Sequence, residues 1–415
     1  MKKPILARFS AGILVAATGV GAGDLVLSAL SGARYGVALL WAIVLGAVLK
    51  YFLNEGLAKW EVATGTTLLQ GWVEKLPRFV SIYFGVYLVF WAFLVASTLI
   101  VYNGLVANTI IPLPLSDRWG TTIWGGVQSA VVVGVIRWGG FKPVATIMKV
   151  LIGLMFVVVL ISACLVTPEA AALLEGLFIP QMSLDLKTVL FVFALVGGVG
   201  GTLTILCYSY WLREQREQGA VPIREVRYDL GLAYFLTAIF GIAVTIIAAG
   251  VQPDSVKGYG LVLSMAERLG SVLGNFGYWS FLLGFWSAVF TSMVGVWNGV
   301  PYLFADFLQR YRRRYYGKDE VTTELNTSNP YQWFLLYLAF PPILLTLFEK
   351  PNWIGVAYAL SGAFFMPFLA ALLLYFNNRI DWVGKLKNSW PTNLVLLFCL
   401  FVFGLLFWVQ LRKLG

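Results

Sequence analysis

The sequence predicts an all-α integral membrane protein, a single transmembrane domain over 1–415 built from two five-helix halves and one further helix. Three observations carry that prediction. Of 415 residues, 59% are hydrophobic and only 12% charged, where a soluble domain carries roughly one quarter charged residues. Apolar stretches of about 18 residues or more recur from end to end, and about 20 helical residues cross a hydrocarbon core. Glycine clusters also interrupt two of those stretches at corresponding places in the two halves.

Taken in order, eleven spans fall near 9–31, 36–59, 79–106, 120–137, 143–166, 188–212, 229–251, 274–305, 331–348, 352–376 and 392–411. The first has no small-residue cleavage site behind it, so it is not read as a removable signal peptide. Repeat one covers about 9–166, repeat two about 188–376, and the extra helix about 392–411. Residues 255–272, SVKGYGLVLSMAERLGSV, read as an amphipathic helix on the outer face.

The formal charge of +10 follows membrane topology and does not indicate nucleic acid. One set of loops holds nineteen Lys and Arg and the alternate set eight. Basic loops stay cytoplasmic, so the amino terminus is expected inside a cell's inner membrane and the carboxyl terminus outside. RYRRRYYGK, residues 310–318, reads as an anchor on anionic lipid. The expected partners are membrane lipid and a small ion or molecule, with the chain acting as a monomer. Histidine is absent, which removes the commonest proton carrier and transition-metal ligand. Cys164, Cys207 and Cys399 lie in or beside apolar spans and imply no disulfide framework. No nucleotide motif and no long inner loop is present, so neither an enzyme nor an ATP-driven pump is expected, and no resident cofactor is implied beyond a divalent cation in transit.

The first interruption is ATGVGAGDLVL, residues 17–27, with Gly19, Gly21, Gly23 and Asp24 inside an apolar run. A dinucleotide-binding reading fails, because the third glycine comes too early and no soluble βαβ unit follows. A broken transmembrane helix exposes peptide groups that lipid cannot satisfy, so breaks belong where they line a cavity. The second interruption is ALVGGVGGTLTI, residues 194–205, in the sixth span. One such cluster alone reads as a close helix-packing face; two at matching positions point to an inverted-repeat transporter. Asp24 is read as the only acid well inside a span, at a cost of roughly 2.5 kcal/mol or more. It either binds a ligand or caps the second half-helix through the Val26 or Leu27 amide. Glu55 and Lys59, four apart, are expected to pair.

From DLVLSALSGARYGVALLW through WEVATGTTLLQ, again at RYDLGLAYFLTAIFGIAVTIIAAG, and at Pro367-Phe368, the chain resembles the natural resistance-associated macrophage protein (Nramp) family of divalent-metal transporters. The resemblance covers most of the chain and implies a LeuT-type fold of two inverted five-helix repeats plus an eleventh helix. It also implies a departure in chemistry. Gly21 stands where the family has its metal-binding Asp, Ala22 where it has Pro, and Asp24 where it has the metal-binding Asn. Residues 188–212 contain none of the family's Met, Pro and His, and the acids of its third helix fall at Thr98 and Val101.

What remains is oxygen, which suits a hard, partly hydrated divalent cation such as Mg²⁺ moved without the usual proton coupling. The expected site comprises Asp24, as the metal ligand, with backbone groups of Gly21, Ala22, Gly198 and Gly201 and side-chain oxygens of Thr202 and Thr204. Two alternatives stay open. One is a carrier of an amino acid or amine lined by Tyr208, Tyr210 and Trp211; the other is a transport-inactive membrane sensor or scaffold.

Overall fold

The computed structural model describes residues 10–139, 141–166, 168–216, 222–251, 260–317, 324–348 and 351–414. Among them every regular element is helical. The first span is α1 (Ser10–Gly19), a π-helical stretch (Val20–Leu25) and α2 (Val26–Tyr35). It is followed by α3 (Leu40–Thr64), short α4 (Leu68–Lys75), α5 (Arg78–Ile110), α6 (Asp117–Gly139), α7 (Phe141–Leu165) and a connecting α8 (Ala170–Phe178). The second half runs α9 (Leu186–Gly198), a 3₁₀ turn (Leu203–Cys207), α10 (Tyr208–Arg216), α11 (Ile223–Ala248), α12 (Gly260–Tyr316), α13 (Asn329–Ala339) and α14 (Pro351–Phe376). Four-residue α15 (Ile380–Val383) leads to the last span, α16 (Trp390–Leu414).

Nine helical spans among the described residues are long and apolar enough to cross a membrane. The first span is not among them because its helical halves are only 10 residues each, and α16 passes only together with the preceding 380–386 stretch, bent 119° from it. Glycine sets several ends: Gly36 closes α2 at φ 59° and Gly65 closes α3 at φ 73°, conformations that cost a side-chain-bearing residue more. At Gly274 (φ 64°) α12 kinks, separating an amphipathic stretch from the eighth span. The expected helix therefore exists from residue 260; 255–259 lie outside the described residues. Pro341 and Pro342 turn the end of the ninth span into a 3₁₀ stretch.

Large apolar side chains such as Phe79, Val86, Phe90, Val150 and Val157 face outward. That is the arrangement a lipid solvent requires, with backbone groups satisfied within each helix. The interior is packed around α1, α2 and α9, which meet α11, α12 and α14 on one side and α3 on the other.

Candidate functional site

The two glycine clusters fold differently. In the first, the chain widens into a π-helix and continues as α2, so the expected interruption is a swollen turn and not an unwound one. In the second, α9 stops at Gly198; Val199 is extended (φ −56°, ψ 132°), and Gly200 and Gly201 take φ of 75° and 82° before the 3₁₀ turn. Those positive φ values favour glycine. The two spans touch at this point: a Cβ on Gly19 would lie 2.8 Å from the Gly200 carbonyl carbon, closer than such contacts allow.

Asp24 leaves the π turn fully buried, and its Oδ1 accepts the Gly200 N–H at 2.9 Å. Its Oδ2 has no hydrogen-bond partner among the described residues. The capping alternative is thereby corrected. The residue before α2 is Leu25, in helical conformation and with no side-chain cap, because a π turn leaves no helix start for Asp24 to cap.

Where α9 ends, the carbonyls of Gly197, Val199 and Gly201 have lost their helical partners. All three accept from the ammonium of Lys50 on α3, with Nζ 2.7 Å from Gly197 O and 3.0 Å from Val199 O, and Gly201 O as the third acceptor. Lys50 is 1% exposed. The sequence reading missed it, although a lysine in the middle of a predicted span was itself a signal, since such a charge is costly unless partnered.

The other expected site residues divide. Gly201 lies beside Thr204, whose Oγ1 would be 2.5 Å from an added Cβ. Thr202 is occupied elsewhere: its hydroxyl accepts from Trp91 Nε1 at 2.8 Å and donates to Tyr358 at 3.2 Å. Gly21 is a packing contact on α12, where a Cβ would meet Ser292 Cβ at 2.2 Å, and Gly198 packs in the same way on Leu27. Ala22 belongs to the π turn, and the surroundings of its side chain lie outside the described residues. Thr98 bonds back to the Leu94 carbonyl of its own helix, and Val101 is buried.

Asp24 is also not the only acid buried within a helix. Asp229 on α11 accepts the Gly12 N–H at 2.7 Å and Tyr208 OH at 3.3 Å. Asp306 on α12 accepts Tyr210 OH at 2.9 Å and pairs with Arg310 at 3.2 Å. Trp211 donates to Asn298 at 3.2 Å, so the three aromatics of the organic-pocket reading are spent on bracing α10. Arg213 at the end of α10 pairs with Glu61 on α3 at 2.9 Å. Glu55 pairs with Lys59, as expected, and with Arg227, each at 2.8 Å. At the opposite end the contacts between the halves include Tyr35–Thr188 at 3.3 Å, the Tyr35 and Phe191 rings at 5.4 Å and Arg34 over the Phe191 ring. Asp24 and Thr202 are both at 0% exposure, and the end near α1 is held by ion pairs.

Among the described residues no group of three or more His, Cys, Asp or Glu could hold a metal. A cation here would rest on backbone carbonyls and one carboxylate. The three cysteines are free thiols.

A sequence model of natural resistance-associated macrophage protein-like chains matches residues 12–411. The chain is 22% identical over 414 residues to metal transporter Nramp5 of Oryza sativa subsp. japonica, covering 94% of this chain and 73% of the rice protein. It is 24% identical over 306 residues to the divalent metal cation transporter MntH of Verminephrobacter eiseniae, covering 69% and 66%. In fold it matches the Eremococcus coleocola manganese transporter solved with an aromatic bis-isothiourea compound, at a TM-score of 0.76 with 16% identity over 97% of this chain and 85% of that one. It also matches MhsT solved with L-phenylalanine, at 0.66 and 16% identity over 98% of both. The second likeness shows the LeuT-type fold reaching beyond metal carriers, so fold alone does not name the substrate. With the family match running over nearly its whole length, the chain is a multi-pass membrane transporter, not an enzyme, and belongs to the natural resistance-associated macrophage protein-like family.

Proposed function

We propose that the chain is a secondary carrier or facilitator of a hard, partly hydrated divalent cation, with Mg²⁺ as substrate, working without the family's usual proton path. The observation that carries this reading is the oxygen-only character of the sixth-span break: carbonyls of Gly197, Val199 and Gly201 beside the unpartnered Oδ2 of Asp24. Such a set favours a hard cation over Fe²⁺ or Zn²⁺. The relatives named as metal transporters support a metal cation in general. One carboxylate leaves much of a divalent charge for water to balance, hence a partly hydrated ion. The organic-carrier alternative is weaker here, because the Gly200 amide that would greet a substrate carboxylate is already bound to Asp24. Rocking of one helix bundle against the other around the break supplies alternating access. The excess of basic residues in one set of loops supports a cytoplasmic amino terminus in a cell's inner membrane.

The test is uptake in proteoliposomes. Mg²⁺ should enter wild-type vesicles with no imposed pH gradient, and Asp24→Asn should abolish entry. Uptake is compared per folded protein: an amide oxygen still accepts the Gly200 N–H, but the variant leaves the buried Lys50 ammonium without its counter-charge and should lose about 3–5 kcal/mol of stability. Uptake of amino acids in place of metal, or silence toward every cation offered, defeats the reading.

A further inference from the structure

We propose that the Lys50 ammonium is a tethered resident cation of this site, which a transported divalent cation must displace before the carbonyls can hold it. The inference rests on the reading of the substrate as a divalent cation. It begins with saturation: an ammonium has three donors and no acceptor, and Lys50 directs its ammonium at the carbonyls of Gly197, Val199 and Gly201. A metal at a coordination distance of roughly 2.0–2.6 Å needs the same lone pairs. The two cations cannot occupy that cage together.

Charge points the same way. Asp24 and Lys50 are both buried beside the break: Asp24 accepts the Gly200 N–H, and a Cβ added at Gly200 would lie 3.5 Å from Lys50 Cβ. Together they sum to zero. A divalent ion added to that pair would leave two uncompensated positive charges in a water-poor interior, where like charges repel far more than in water. Moving the ammonium away from the ion weakens that repulsion and frees the acceptors. The tether also has somewhere to go: Asn54, one turn along α3 on the same face, keeps its Oδ1 without a hydrogen-bond partner while its Nδ2 donates to Tyr234 at 3.1 Å. A swing toward Asn54 carries the ammonium off the carbonyls and keeps it bonded.

The experiment compares wild type, Lys50→Met, Lys50→Gln and the double variant Asp24→Asn/Lys50→Met as purified full-length chains in detergent, titrated with MgCl₂ by calorimetry and by thermal shift. Both single variants should bind Mg²⁺ at least about tenfold more tightly than wild type, and the double variant should lose that gain. Folded single variants that bind no more tightly than wild type overturn the proposal. Should neither single variant fold, reductive methylation of wild type read by mass spectrometry takes its place. Lys50 should be modified several-fold faster with saturating MgCl₂ than with choline chloride, and an unchanged rate overturns the displacement. Mg²⁺ uptake by wild type with no gain in the variants sinks the displacement alone. Tighter binding in the variants with no uptake by wild type sinks the carrier reading and leaves the displacement standing.

Discussion

The two glycine-rich stretches share composition and position, yet one keeps its helix and the other gives it up. In the first span the chain only widens, staying helical from Ser10 to Tyr35. In the sixth, two successive residues at positive φ end α9 outright and strand three carbonyls and an amide inside the membrane. Stranded groups in lipid must be satisfied, and here two charged side chains do so: Asp24 takes the amide and Lys50 takes the carbonyls. The intact span therefore supplies a carboxylate, while the broken span supplies the peptide groups that the carboxylate and Lys50 satisfy.

Glycine substitutions on the two sides of the contact test this difference most strongly. At Gly200 an alanine meets both a positive φ, about 1–2 kcal/mol, and the Tyr234 ring at 2.7 Å, an overpacking of about 1–3 kcal/mol. Gly200→Ala should lose about 2–5 kcal/mol by unfolding in detergent. Gly19→Ala has no positive φ to fight, only the 2.8 Å approach to the other span's backbone, and should lose about 1–3 kcal/mol. Equal losses would mean that the left-handed conformation carries no weight and that the comparison is one of packing alone.

A smaller effect is expected at the lock on α10. Glu61 is buried while Arg213 is a third exposed, so solvent discounts the pair to about 1 kcal/mol. Glu61→Gln should loosen α10 without unfolding the protein. Cys207, fully buried in the 3₁₀ turn behind it, reports the opening. Its maleimide labelling should accelerate by up to about fivefold, the equivalent of about 1 kcal/mol. An unchanged rate would place the lock elsewhere, in the Asp306–Tyr210 contact.

The fold was legible because its signals are long. Twenty-residue apolar runs survive any local ambiguity: helices recur over the spans read from sequence, nine of them long and apolar enough to cross a membrane among the described residues, with α12 running past its expected end at 305 to Tyr316. The site was legible only in part. Asp24 stood out as an acid in an apolar run, whereas Lys50 sits in a span whose carboxyl-terminal third carries Glu55, Lys59 and Glu61 and so looked like a polar helix end. Its role depends on α3 crossing behind α9, a contact 147 residues away in sequence that no local pattern encodes. Thr202 failed for the opposite reason. A hydroxyl next to a break invites a ligand, but Trp91 and Tyr358 claim it from α5 and α14. Gly21 and Gly198 are explained by close approach of helices, the ordinary reason for small residues in membrane spans.

The smallest expected effect separates the two spans at their edges. α9 begins with a side-chain cap, Asp185 accepting the Thr188 N–H at 3.0 Å; α2, continuing from the π turn, has none. The Ser183 hydroxyl, followed by the hydroxyl and amide of Thr188, holds the Asp185 carboxyl below the ordinary aspartate value of 3.8. A depressed folded value means that the cap's contribution is present above the unfolded pKa and fades as pH falls toward the folded one. Asp185→Ala should thus lower the thermal midpoint slightly at neutral pH, with the gap between variant and wild type constant above about pH 5 and narrowing below about pH 4. Asp185→Asn, which keeps an acceptor without a charge, should show a smaller gap that does not vary with pH. If the alanine gap instead stays constant into acid, the carboxylate is not what fixes the start of α9, and the broken span owes its first half to packing as the unbroken one does.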